Sequence, residues 1–273
     1  MWLGVTLVAS VRAVLFDLDE TLISDLYCTR AAMWVTLADA AAERNFDLIA
    51  AAAAVMETAR ELWPRTSEAP YCRRIGIGAW EGLWATFATG EHPSLVALRG
   101  LAPSYRREVW RAGLQRVGID DLDLVASLAE RYVGERAARQ QRFPEVDGVL
   151  AELQAHYRLA LVTNGDPDLQ RRKVVGADLV GRFPVIAISG VLDIGKPDPR
   201  IFLYALRALG LGPEDAVMVG DNPTSDIAGA RAAGMRSVHI DRGYTPRSSG
   251  DEEANAVLPD LNGLPELLQS WNH

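Results

Sequence analysis

The chain has 273 residues, of which 49% are apolar and 23% charged, with a formal net charge of −8 and a pI near 5.1. That is enough apolar material for a sizeable core in one large domain or two modest ones. The acidic balance excludes binding to nucleic acid through a basic surface, because nothing offsets repulsion from the phosphates. It leaves room for a small anionic substrate wherever a cation inverts the local field.

Residues 1–16, MWLGVTLVASVRAVLF, are apolar, yet they lack a basic start and run straight into an acidic cluster. A secretory leader is not expected from such a segment, and no run has the length of a membrane-spanning helix. Residues 1–10 read as an extra turn or a poorly ordered extension. The two cysteines, Cys28 and Cys72, are too few for a disulfide framework and suit reduced thiols in a cytoplasmic protein.

Residues 11–16 are a short, β-branched apolar run ending abruptly in carboxylates, the pattern of a buried parallel strand. From about 27 to 141 the chain is rich in Ala, Leu, Glu and Arg, with apolar residues at helical spacing such as Leu122, Val125, Leu128, Ala129 and Tyr132. Breaks are expected at 64–70, 90–93 and 118–120. From 144 onward helices and strands alternate. Helices are expected at 146–156, 167–175, 199–209, 225–233 and 264–271, and strands at 159–163, 185–188, 216–219 and 237–240. Residues 243–259 read as a loop. Such alternation predicts an α/β fold with a doubly wound parallel sheet. An all-helical domain (residues 25–141) is inserted after the first strand, and the core comprises residues 1–24 and 142–273. A domain inserted there would sit over the C-terminal edge of the sheet, where open α/β sheets bind ligands.

Polar clusters follow the predicted strands. They are Asp17-Leu18-Asp19-Glu20-Thr21, then Thr163-Asn164-Gly165, then Gly195-Lys196-Pro197, and Gly220-Asp221 with Asp226. Parallel strands bring such ends to one rim. Asp17, Asp19, Asp221 and Asp226 would repel one another there, and a hard divalent cation with oxygen ligands resolves the conflict. Lys196 and the Thr163 hydroxyl suit a phosphate, with backbone N–H groups near Asn164 and Gly165 as further donors.

These four clusters, in this order, resemble the four motifs of the haloacid dehalogenase superfamily, beginning with its DxDxT signature. Within it, LVTNGDPDLQRRK, GKPDPRIF and MVGDNPTSDIAGA look most like the N-acylneuraminate-9-phosphatase and house-cleaning nucleotidase branch. The resemblance implies a Rossmann-like core with a helical cap, a phosphoric monoester hydrolase and a Mg2+ cofactor. Asp17 would be the nucleophile and Asp19 the general acid and base. Thr163, Asn164 and Lys196 would hold phosphate. The metal would take Asp17, Asp221 and the backbone carbonyl of Asp19, with Asp226 acting through water or by orienting that shell. The partner would be a small phosphorylated molecule, not nucleic acid or membrane. Asp at position 19 favours phosphoryl transfer over dehalogenation, which needs no leaving-group acid. A β-phosphoglucomutase-like transferase and a non-catalytic binding protein on the same scaffold are the alternatives.

Arg30 and Arg73 are candidates for gripping the substrate from the helical insertion. Trp80 and Trp84, four residues apart, are expected to share a helix face and to pack. Asp198, Asn222, Thr224 and Ser225 read as helix caps.

Overall fold

The computed structural model describes residues 10–243 and 254–272. The expectation for residues 1–10 falls outside them apart from Ser10, as does the middle of the 243–259 loop. Six strands form one parallel sheet: β1 (Ala13–Phe16), β2 (Arg158–Thr163), β3 (Val185–Ile188), β4 (Ala216–Gly220), β5 (Arg236–Ile240) and β6 (Ala256–Leu258). Their order is β3-β2-β1-β4-β5-β6. The α/β doubly wound sheet is therefore as expected. Strand β1 is central, pairing β2 on one side and β4 on the other. The strand order thus reverses at β1, which makes its C-terminal end the switch point where ligands bind in open sheets. Strand β6 was not anticipated. It is three residues long and half-exposed at the sheet edge, so its apolar run, Ala-Val-Leu, is too short to mark a strand.

The central strands are apolar throughout because helices cover both faces. Alternate residues point to opposite sides. Ala13, Leu15, Val162 and Met218 pack with Phe202 and Leu206 of α10 (Pro199–Leu209). Val14, Phe16, Leu161 and Val219 pack with Val149 and Leu150 of α7 (Val146–Gln154) and with Leu264 and Leu268 of α12 (Leu264–Ser270). The remaining helices of this part are α8 (Pro167–Gly176), α9 (Ser189–Leu192) and α11 (Ala228–Ala232). The helix expected at 225–233 begins as a wide π-type turn, Pro223–Ile227.

Between β1 and β2 lie α1 (Asp25–Arg44), α2 (Leu48–Leu62), α3 (Ala69–Ile75), α4 (Ala79–Gly82), α5 (Pro93–Gln115) and α6 (Leu122–Ala137). Local chemistry starts them. Asp47 accepts from the N–H groups of Ile49 and Ala50, and Asp121 accepts from that of Leu124. Proline opens α5. These helices enclose their own core around Met33, Leu37, Val55, Trp110 and Tyr132, which Leu169 of α8 joins. The chain enters and leaves this block side by side: the Ser24 N–H donates to the Gln141 carbonyl at 2.9 Å, and Ile23 bridges Arg142.

Gly113 of α5 sets how closely α2 approaches. A Cβ there would lie 2.7 Å from the Cα of Val55. Alanine is the better helix former by about 1 kcal/mol, but overpacking against backbone costs about 1–3 kcal/mol. Gly113→Ala is expected to lower stability by about 1 kcal/mol, the difference between these effects, in urea titration. An unchanged or raised midpoint would show that the two helices separate freely.

Candidate active site

Asp17 follows β1 directly, and its N–H donates to the Val219 carbonyl at 2.9 Å, so the sheet itself fixes its backbone. The Lys196 ammonium lies 2.5 Å from Asp17 Oδ1 and 2.7 Å from Asp226 Oδ1. All three side chains are buried, at 2% exposure for Lys196, 8% for Asp17 and 1% for Asp226. Asp221 completes the group: one carboxylate oxygen from each of Asp17, Asp221 and Asp226 lies within 4.8 Å of the others. Gly220 makes this approach possible, because a Cβ there would meet Asp226 Oδ2 at 2.3 Å. Asn222 caps the following turn, accepting from the N–H groups of Thr224 and Ser225, and its own N–H donates to Asp226 Oδ2.

Two buried carboxylates and a half-buried third, Asp221, face one ammonium. Burial raises Asp17 to about 7, opposed by Lys196 and reinforced by Asp226 and Asp19. Burial, then Asp17 and Asp226, raise Asp221 well above the usual carboxylate range. For Lys196, burial disfavours the charged form, but Asp17 and Asp226 outweigh it and raise the pKa. The charge left over on three hard oxygen donors fits a divalent cation such as magnesium.

Asp19 faces the other way. Its Oδ1 is 2.8 Å from the Lys173 ammonium, and its Oδ2 accepts from Gln170 Nε2 at 3.0 Å. Lys173, 1% exposed, also meets Asp25 Oδ1 at 3.1 Å and Glu81 Oε1 at 3.2 Å. Arg136 pairs with Asp25 and lies over the Trp84 ring. Burial raises Asp19, and it raises Glu81 to about 7 against the pull of Lys173. Burial also acts on Asp25, but Lys173 and Arg136 overcome it and keep Asp25 below the usual range.

A cleft of about 380 Å³ joins the two clusters, with Asp17, Asp19, Asp221, Lys196, Trp80 and Glu81 among its walls. Not every residue expected at the site faces it. The Thr163 hydroxyl accepts from Gln170 Nε2 at 2.6 Å, and Thr163 does not line the cleft. The Asn164 side chain lines the cleft but is committed to backbone, donating to the Lys196 carbonyl and accepting from the Lys196 N–H. It thereby holds the loop that carries Lys196. The Asp226 carboxylate stands in the acidic group, bonded to Lys196 and the Asn222 N–H, while that of Asp19 points to Lys173.

Among the insertion candidates, Arg30 lines a separate apolar cleft of about 490 Å³ between α1 and α2, and Arg73 is exposed on α3 and lines neither cleft. Trp84 is buried, as its packing reading required, but Trp80 lines both clefts under the Arg60 guanidinium. They do not share a helix face, because α4 ends at Gly82. Sequence reasoning missed Lys173, Gln170, Glu81 and Asp25. A signal was present in α8: Gln170 and Lys173, three apart, fall on the face that also buries Leu169 and Val174.

A parallel sheet with a lysine-bridged carboxylate group on its C-terminal rim, roofed by inserted helices, defines a class of hydrolytic enzyme. Residues 11–234 match the family model for haloacid dehalogenase-like hydrolases, and the chain belongs to this family. It is 42% identical over 252 residues to the phosphoserine phosphatase of Thermus thermophilus, spanning 92% of this chain and 94% of that one. It is 28% identical over 265 residues to human N-acylneuraminate-9-phosphatase, spanning 95% and 94%. In fold it is similar to a 2-haloacid dehalogenase from Pseudomonas syringae pv. Tomato, with a TM-score of 0.60 and 29% identity over 96% of this chain and 99% of that one. Within the family the chain is a phosphatase-type enzyme.

Lys196 is the only ammonium between Asp17 and Asp226 among the described residues. Lys196→Met is expected to destabilise the metal-free protein by about 3–5 kcal/mol, the usual consequence of leaving buried charge uncompensated. Chemical denaturation in chelator checks this; a loss under about 1 kcal/mol would mean that water reaches the carboxylates freely.

Proposed function

We propose that this protein is a magnesium-dependent phosphatase that hydrolyses a small phosphomonoester through an aspartyl-phosphate on Asp17. The observation that supports it most is the pairing of two aspartates in different surroundings. Asp17 is locked beside Lys196, and Asp19 is held apart by Lys173 and Gln170. In the first step a carboxylate oxygen of Asp17 attacks phosphorus, and the bond to the leaving oxygen breaks. Asp19 donates a proton to that oxygen. In the second, Asp19 takes a proton from water, whose oxygen attacks phosphorus and releases phosphate and Asp17. Lys196 holds Asp17 in place and offers its charge to the phosphoryl oxygens. A magnesium ion would be held by Asp17, Asp221 and the Asp19 carbonyl, with Asp226 beside it, and would supply charge against the phosphoryl oxygens.

Residues 1–24 and 142–273 serve as the catalytic core in this reading, and residues 25–141 as the cap. The hydrogen-bonded crossing at Ser24 and Gln141 supports that division. No helix among the described residues is long and apolar enough to cross a membrane. The free thiols of Cys28 and Cys72 suit a cytoplasmic setting. The cleft wall beyond Asp17 carries Glu20, Asp25 and Glu81. A leaving group that bears an ammonium would find carboxylate partners on this wall, and Lys173 stands beside them for a carboxylate. Phosphoserine, the substrate that the name of the Thermus relative implies, is therefore the first compound to assay.

Asp17→Asn is expected to abolish phosphate release from p-nitrophenyl phosphate while leaving the circular dichroism spectrum intact. It should also remove the phosphorylated-protein adduct seen by mass spectrometry after rapid quench. Wild-type-like turnover in this variant would eliminate Asp17 as nucleophile. Exhaustive chelation should stop the native enzyme, and added magnesium should restore it. Full activity in chelator would rule out the metal-dependent reaction.

A further inference from the structure

Lys173 has no part in the chemistry described so far, yet it is among the largest fully buried side chains of the protein. Its ammonium meets three carboxylates from three parts of the chain: Asp19 after β1, Asp25 at the start of α1 and Glu81 in α4. Gln170, one helical turn earlier on α8, donates from one amide nitrogen both to Asp19 Oδ2 at 3.0 Å and to Thr163 Oγ1 at 2.6 Å. Each oxygen of Asp19 is thus taken by a different residue of one helix. The side chain of Asp19 nevertheless keeps 28% of its surface exposed, and it lines the cleft. It is gripped from behind while its front stays open.

We propose that Lys173 and Gln170 are positioning residues that aim Asp19 at the leaving-group oxygen, and that Glu81 and Asp25 tie this aim to the seating of the helical block. The proposal rests on the assignment of Asp19 as proton donor. A carboxylate free to rotate spends little time within the short distance that proton transfer requires. Two donors on successive turns of one rigid helix remove that freedom.

The same ammonium joins the two halves of the molecule. Glu81 reaches Lys173 from the helical block, and its other oxygen accepts from the Gly78 N–H, which fixes its own direction. Asp25 sits at the crossing into the block, and Arg136, near the return crossing, pairs with it. Nearby, α3 docks on the rim: the Ser189 hydroxyl donates to the Ile75 carbonyl, and Arg74 pairs with Asp193. Lys173 has its full set of partners only with the block seated. Asp19 is therefore held on target when the cleft is covered.

The test uses magnesium-loaded enzyme and a series of phenyl phosphates whose leaving groups grow more basic. Asp19→Ala supplies the reference: kcat/KM should fall steeply along the series, because the lost proton matters most for the most basic oxygen. Lys173→Met and Gln170→Leu should reproduce that steepening. They should lower kcat at least tenfold for the poorest leaving group and several-fold less for p-nitrophenyl phosphate, with KM little changed. Lys173→Met added to Asp19→Ala should cost no more on the poorest leaving group than Asp19→Ala alone. Gln170→Leu unpairs no charge, so it keeps the test open if Lys173→Met does not fold. If Asp19→Ala shows the steepening but neither other variant does, or if losses are uniform and additive, the positioning role is overturned. If Asp19→Ala itself shows no steepening, the assignment of Asp19 fails instead.

Discussion

The rim of this sheet is organised by one ammonium between two largely buried carboxylates. Lys196 neutralises Asp17 and Asp226 only in part, since Asp221 adds a third acid. In bulk water such a cluster would be held apart by solvation. Here the parallel strands force it together, because β1 and β4 are neighbours in register, with Phe16 opposite Val219. Asp17 and Asp221 leave these strands on the same rim within two residues of that pair. Repulsion among the acids is the condition that creates affinity for a cation.

The supporting residues make sense against that constraint. Gly220 has no side chain because Asp226 occupies the space. Asn164 spends both ends of its amide on the Lys196 backbone, so the lysine loop is anchored to the end of β2. Gly76, with φ of +76°, closes α3 where a Cβ would strike the Asn164 side chain at 2.6 Å. The inserted helices therefore settle directly on the element that fixes the lysine. A second buried cation, Lys173, repeats the device for Asp19 but draws its carboxylates from both the core and the insertion. Two aspartates separated by one residue thus occupy two electrostatic settings. That is the arrangement required of a pair meant to act as nucleophile and acid.

Much of this was legible in the residues. Runs such as AVLF and AVMVG are apolar throughout, so strands covered on both faces were evident, and their polar successors marked the rim. The order of the four clusters carried the family. Two of the caps were equally readable, because Asp198 and Asn222 act on backbone within a few residues. Contacts of this kind depend on neighbours in the chain, and the chain states them directly.

The partners of each side chain were not legible. Thr163 and Asn164 stand where a phosphate grip was expected, but folding places Gln170 and the Lys196 backbone against them. Arg30 and Arg73 are cations in the right segment, yet the helices turn one into a different cleft and the other into solvent. The spacing in α8 could place Lys173 on the buried face, but not its partner Glu81, which the insertion brings to it across 92 residues of sequence. Periodicity reports which face of an element is buried, but not what that face meets. The sequence by itself determined the α/β class, the rim and the chemistry available there. Only the tertiary structure decided which charges pair, because pairing over such separations depends on how two independently built layers come to rest on each other.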